Sequence, residues 1–311
     1  MLGLVQRVWL GLGVLVAVAC STDSRRADKR VEPAVPGVAP GRSAHESRSA
    51  ELTRRWLLYV PRAAEPGEAL PLVFNLHGSG GTPEDQLGVS GLEELAERES
   101  FVVVAPAAVE QRWNVPPDAT KADDVRFFSE LIDSVAALTP IDRQRVFATG
   151  FSGGGRMASQ LACDLSERVA AIAAIGGIRF PGPCAQARPM PILAFHGTAD
   201  DVNPYEGGGQ PYWGTGVEPA VTGWAEHNRC TVRSEQTLPT GVREISHGGS
   251  DCDAEVVLYR IEGFGHSWPR AVAALDDQGG GLRSGRDIKG GEVTANELLW
   301  RFFQSHPLPQ K

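Results

Sequence analysis

The pentapeptide Gly150-Phe151-Ser152-Gly153-Gly154 sets a serine among small residues where the β-rich run 145–149 gives way to an amphipathic stretch. A strand that turns sharply into a helix has no room for Cβ atoms beside the serine, and it holds the hydroxyl clear of the sheet near the helix N-terminus. The pattern is that of a nucleophile, with a glycine-rich connecting loop as the plainer alternative. A serine hydroxyl attacks poorly until an imidazole takes its proton and a carboxylate orients that imidazole. Downstream, residues 190–195 form an apolar run that leads into His196-Gly197-Thr198-Ala199-Asp200-Asp201. Residues 256–261 lead in the same way into Glu262-Gly263-Phe264-Gly265-His266-Ser267-Trp268-Pro269. His266 is therefore the candidate base, unless it is a satisfied loop histidine. Asp200 is the candidate orienting acid, with Asp201 beside it as the alternative. Asp123 and Asp124 precede the serine, Asp276 and Asp277 follow the histidine in a glycine-rich stretch, and His227 and His247 lie away from any strand end.

Attack on an ester carbonyl places negative charge on its oxygen, so two preorganised donors are needed. The Gly153 N–H, directly after the serine, is one. The run 70–76 leads into His77-Gly78-Ser79-Gly80-Gly81, where the Ser79 N–H is the second candidate and a simple turn is the other reading.

These groups need a scaffold. Strand candidates are 56–60, 70–76, 101–105, 146–151, 169–175, 190–195 and 255–261. Several are almost continuously apolar, as expected of strands covered on both faces. Helical patterns fall between or after them at 91–98, 123–138, 154–165, 216–227 and 292–303. Strands alternating with helices predict one α/β domain, 51–309, with a mainly parallel sheet. Residues 21–50 are polar, with scattered Pro and Gly and no apolar period, and read as a flexible linker. Residues 1–20 have one positive charge, an apolar run and small residues before Cys20, the form of a signal peptide. Ala17-Val18-Ala19-Cys20 admits either ordinary cleavage or lipidation of Cys20, which predicts an exported, cell-envelope or secreted protein whose sole membrane contact is an N-terminal anchor. Lipidation would leave Cys163, Cys184, Cys230 and Cys252, which sequence proximity pairs as Cys163–Cys184 and Cys230–Cys252.

The chain has 311 residues, is 42% hydrophobic and 22% charged, and carries a net charge of −8. This excludes a disordered or multi-span membrane chain and argues against nucleic acid as a partner. The histidines are scattered, with no metal-binding spacing and no phosphate or dinucleotide loop, so neither metal nor cofactor is expected. About a dozen residues separate the strand ending near Ile175 from Met190, too few for a cap domain. The one large excursion, 201–254, carries Tyr205, Tyr212, Trp213 and Trp224. An uncapped site flanked by aromatics suits an ester on a bulky or polymeric chain, with Tyr205 and Trp268 as candidate substrate contacts. Trp268 could equally be a core residue.

Jointly, Leu76-His77-Gly78, residues 149–155, His196-Gly197-Thr198-Ala199-Asp200, Gly265-His266-Ser267-Trp268-Pro269 and the 298–309 segment resemble the polyhydroxybutyrate depolymerase and feruloyl esterase group of α/β-hydrolases. The resemblance spans about residues 56–309 and includes secreted lipoprotein esterases. It implies an α/β-hydrolase fold without a cap, a triad of Ser152, Asp200 and His266, the same two disulfides, and carboxylic-ester hydrolysis. Relatives often carry cysteine at the position of Ser79, and Asn or Ala at that of Gly153. A serine peptidase on the same fold and a lipid-anchored binding protein on a hydrolase scaffold are the competing readings.

Overall fold

A computed structural model describes residues 38–65, 67–238, 241–269 and 294–310. The leader, Cys20, the linker to residue 37, Arg270 and the stretch holding Asp276 and Asp277 lie outside the described residues.

Among the described residues ten strands form one sheet: β1 (Gly41–Ser49), β2 (Leu52–Val60), β3 (Leu70–Leu76), β4 (Val102–Pro106), β5 (Ile141–Phe151), β6 (Ala171–Ile175), β7 (Ile192–Gly197), β8 (Val232–Thr237), β9 (Arg243–Gly248) and β10 (Val256–Ile261). Their spatial order is β1-β2-β4-β3-β5-β6-β7-β10-β9-β8. The six strands from β4 to β10 in that order pair in parallel, and antiparallel strands extend both edges. Six helices accompany them: α1 (Pro83–Ser90), α2 (Leu92–Glu99), α3 (Asp124–Ala136), α4 (Gly153–Asp164), α5 (Val217–His227) and α6 (Ala295–Ser305).

The continuous apolar runs arise because the sheet is buried on both faces and side chains alternate between them. On β3, Leu72, Phe74 and Leu76 join a core layer with residues of α3, α4 and α5. Val73 joins the opposite layer with α2 and α6. Aromatic contacts tie each layer to the sheet: Phe74 meets Phe128 of α3 edge-on at 5.2 Å, and Phe147 stacks on Phe303 of α6 at 4.6 Å. A buried ion pair, Arg54 to Asp124 at 2.7 Å, fixes the start of α3 beneath the segment that follows β4. Both cysteine pairings are formed, with Cα–Cα distances of 5.1 Å for Cys163–Cys184 and 4.1 Å for Cys230–Cys252.

Two expectations are corrected. Residues 41–49, read as part of the linker, form edge strand β1, paired along its whole length with β2. The His45 ring stacks on Trp56 at 4.5 Å. An edge strand is held by backbone hydrogen bonds, so its side chains need no apolar period. The excursion 201–254 likewise contributes β8 and β9, and every β8 side chain is exposed. The last helix runs to Ser305, started by a capping box between Thr294 and Glu297.

Candidate active site

The carboxyl ends of β3, β5, β7 and β10 converge at one rim, the position where open parallel sheets bind ligands. At the end of β5 the chain reverses into α4 through Ser152, whose φ is 54° and ψ is −113°. A serine in this region is strained, and the turn is held by its N–H donating to the Ile175 carbonyl at 2.8 Å. The close approach also dictates the flanking glycines. A Cβ on Gly150 would stand 2.5 Å from the Gly154 backbone, and one on Gly154 would stand 2.2 Å from the Leu76 carbonyl oxygen. Ser152 occupies the N-cap position of α4, yet its hydroxyl makes no capping bond. Among the described residues that hydroxyl has no side-chain hydrogen-bond partner.

Parallel pairing of β7 with β10 sets Gly197 opposite Ile261 and so brings the loops bearing Asp200 and His266 together. The loops are sewn by Thr198 N–H to the Ile261 carbonyl at 3.0 Å, Ala199 N–H to the Phe264 carbonyl at 3.0 Å, and Gly263 N–H to Thr198 Oγ1 at 2.9 Å. His266 Nδ1 donates to Asp200 Oδ2 at 2.7 Å. The imidazole also packs on Phe151, the residue before Ser152, at 4.7 Å between ring centres. Asp200 is buried, 4% exposed, whereas Asp201 is exposed. Asp200 Oδ1 accepts from the backbone N–H groups of Val202 at 3.0 Å and Asn203 at 2.7 Å. Burial alone would raise the pKa of Asp200. Hydrogen bonds from His196, His266 and Asn203 outweigh it and hold the carboxyl well below the usual carboxylate range.

The loop after β3 is built as a rigid cradle. Gly81 N–H closes a turn onto the Gly78 carbonyl at 3.0 Å, and Gly80 N–H reaches the Gln111 carbonyl at 2.8 Å. The buried His77 ring accepts from Ala108 N–H at Nε2, 3.0 Å, so its Nδ1 donates to the Gly78 carbonyl at 2.8 Å. Burial lowers the pKa of His77 and keeps the ring neutral in this role. The cradle brings Ser79 to Gly153: a Cβ on Gly153 would lie 2.9 Å from the Ser79 nitrogen. The two candidate oxyanion donors therefore stand side by side.

Of the two candidate substrate contacts, Trp268 is a core residue, 6% exposed, with its indole N–H donated to Asn296 Oδ1 at 3.1 Å. Tyr205 is also buried, its hydroxyl donating to Glu218 at 3.1 Å. Burial limits both rings: Trp268 lies in the core, and the Arg260 guanidinium sits over the Tyr205 ring at 5.1 Å.

Three participants carry no signal in local sequence. His196 Nε2 lies 2.9 Å from the Asn203 carbonyl and 3.2 Å from Asp200 Oδ2, so the carboxylate serves two histidines. Asn203 also donates through Nδ2 to the Gly176 carbonyl at 2.6 Å, linking the Asp200 loop to the end of β6. Arg156, one turn into α4, places Nη2 3.2 Å from Ser79 Oγ. His196 lies in a motif that sequence reading used only for its aspartate, and the hydrogen-bonding role is visible only in three dimensions. Among the described residues no cluster of three His, Cys, Asp or Glu side chains is grouped to hold a metal ion.

The chain is similar to known proteins in sequence and in fold. Residues 117–211 match the phospholipase/carboxylesterase family. The chain is 32% identical over 232 residues to feruloyl esterase B of Piromyces equi, an alignment covering 69% of this chain and 42% of that protein. The chain thus spans less than half the length of that relative. It is 31% identical over 256 residues to a probable feruloyl esterase C of Aspergillus terreus, covering 80% of this chain and 83% of the relative. An acetyl xylan esterase structure from Aspergillus awamori superposes with a TM-score of 0.56 at 15% identity, covering 72% of this chain and 94% of that one. That likeness concerns the fold, a mainly parallel sheet flanked by helices.

Proposed function

This chain belongs to the feruloyl esterase family of carboxylic-ester hydrolases with the α/β-hydrolase fold, and from that premise we propose that it is an exported serine esterase acting on feruloyl-type esters of bulky or polymer-linked alcohols. The observation that carries the mechanism is the 2.7 Å bond from His266 Nδ1 to Asp200 beside the strained turn at Ser152. With Nδ1–H committed to the carboxylate, the Nε2 lone pair of His266 is the one available to take a proton.

Ser152 Oγ attacks the ester carbonyl while His266 takes its proton. The carbonyl oxygen becomes an oxyanion that the Gly153 and Ser79 N–H groups receive. Collapse breaks the C–O bond to the alcohol, which leaves with the proton returned by His266. Water then attacks the acyl-serine, gives its proton to His266, and the acid departs as Ser152 is restored. The mechanism requires the hydroxyl to come within reach of Nε2 once substrate is bound, as active-site contacts in unliganded enzymes often tighten only then. The leader sequence and the two disulfides support export to an oxidising compartment.

Replacing Ser152 with Ala is expected to abolish hydrolysis of a p-nitrophenyl ester and labelling by a fluorophosphonate, with the thermal transition retained. Undiminished turnover refutes the mechanism. A panel of feruloyl, acetyl and short hydroxyalkanoate esters, with an amide as comparison, tests the acyl preference and the reaction class together.

A further inference from the structure

Among the buried and half-buried arginines, one group is left without the partners the others have. Arg54 is neutralised by Asp124. Arg188 donates to four backbone carbonyls, those of Ser166, Val169, Ala170 and Pro189. Arg156 is buried, 7% exposed, yet among the described residues its guanidinium hydrogen-bonds only the Ser79 hydroxyl, and its Nε has no hydrogen-bond partner. Arg179 Nη1 is likewise buried without a partner. Neither forms an ion pair with a described carboxylate. The two share a region of the fold, because Arg179 N–H bonds Ser159 Oγ at 3.3 Å on the next turn of α4 from Arg156. The charges of Arg179 and Arg112 both oppose that of Arg156. Buried positive charge without a counter-ion is costly, and a chain of net charge −8 has ample acidic residues to supply one.

We propose that Arg156 and Arg179 form a recess beside the oxyanion donors that binds a carboxylate carried by the ester substrate itself. Tyr212 covers one face of the Arg156 guanidinium, 4.1 Å from ring centre to Cζ, so a ligand would have to meet it at its N–H edge. A planar fork of donors matches a carboxylate bidentately. That edge lies at the reacting centre: Nη2 is 3.4 Å from where a Cβ on Gly153 would stand. The carboxylate is carried on the acyl part, as in a dicarboxylic acid monoester, or on the alcohol, as in an ester of a hydroxy acid.

This inference rests on the esterase reading above, and the test separates the two. Wild type, Arg156→Met and Arg179→Met are compared on p-nitrophenyl butyrate, mono-p-nitrophenyl succinate and the butyryl ester of 3-hydroxybutyrate. Wild type is expected to prefer one acidic ester, which identifies the side that bears the charge. The ratio of kcat/KM for that ester to that for the neutral butyrate is expected to fall about a hundredfold in Arg156→Met. Arg156→Lys should recover only part of it. No acidic preference in wild type, or an equal loss on acidic and neutral esters, overturns the recess while leaving the esterase reading intact. Wild type that cleaves no ester refutes the esterase reading. Succinate titrated calorimetrically into Ser152→Ala protein then decides the recess on its own: binding lost in the Ser152→Ala, Arg156→Met double variant supports it, and no binding overturns it.

Discussion

Asp200→Asn separates orientation of His266 from everything else at the site. Asp200 Oδ1 receives two backbone N–H bonds, from Val202 and Asn203, and an asparagine oxygen can keep both. The amide NH2 must then occupy the Oδ2 position, facing His266 Nδ1 at 2.7 Å and His196 Nε2 at 3.2 Å. A donor now meets Nδ1, so His266 turns to the tautomer with its proton on Nε2 and has no lone pair for Ser152. His196 retains the Asn203 carbonyl as acceptor at 2.9 Å. Folding loses the charge-assisted contacts of Oδ2 with both histidines, each worth about 1.5–3 kcal/mol at most. The reaction loses its base: kcat/KM should fall about 10³- to 10⁴-fold, or about 4–5.5 kcal/mol. Release of p-nitrophenol measures the rate, and a circular dichroism melt checks that the variant is folded. Asp201→Asn, at an exposed position, serves as the control and should stay within about twofold of wild type. An Asp200→Asn enzyme keeping more than about a tenth of wild-type activity, or an Asp201→Asn enzyme without activity, refutes the relay.

Two further outcomes follow from the same geometry. Gly154→Ala would put a methyl 2.2 Å from the Leu76 carbonyl oxygen, against backbone that cannot yield, so urea denaturation should show a loss of about 3 kcal/mol or more, and a neutral result would mean the turn relaxes freely. For pH, the depressed pKa of Asp200 adds stability that is present above the unfolded carboxylate value, about 3.9, and is lost as pH falls below it. His77, kept neutral by burial, adds stability above the unfolded imidazole value, about 6.5, that is lost as pH falls toward its lower folded value. Urea midpoints should therefore drop on acidification below about pH 6.5, and drop less in His77→Gln; an identical pH profile in the variant would remove His77 as the cause.

What sequence pattern could carry was whatever repeats locally. The β3 limits, Leu70–Leu76, coincide with the apolar run, because a central strand buried on both faces is apolar almost throughout; its one polar side chain, Asn75, is satisfied by Ser90 and Gln86. Edge strands β1 and β8 escaped because backbone pairing alone holds them and their side chains need not be hydrophobic. At the site, the glycine–serine turn was readable because steric exclusion acts within five residues.

The choice between Asp200 and Asp201 was not readable in that way. Both are carboxylates at the end of the same strand, and only the meeting of the β7 and β10 loops buries one against His266 and leaves the other in water. His196, Asn203 and the Arg156–Arg179 pair belong to the same class: their roles arise from contacts that range from 3 to 77 positions of chain, set by how the loops fold rather than by a spacing rule. Residue type and local period specify the strands, the turn and the kinds of group available. Which groups touch, which are desolvated and which are left without a counter-charge is set by packing between distant segments, because electrostatic and hydrogen-bond energies depend on distance in space and on exclusion of water.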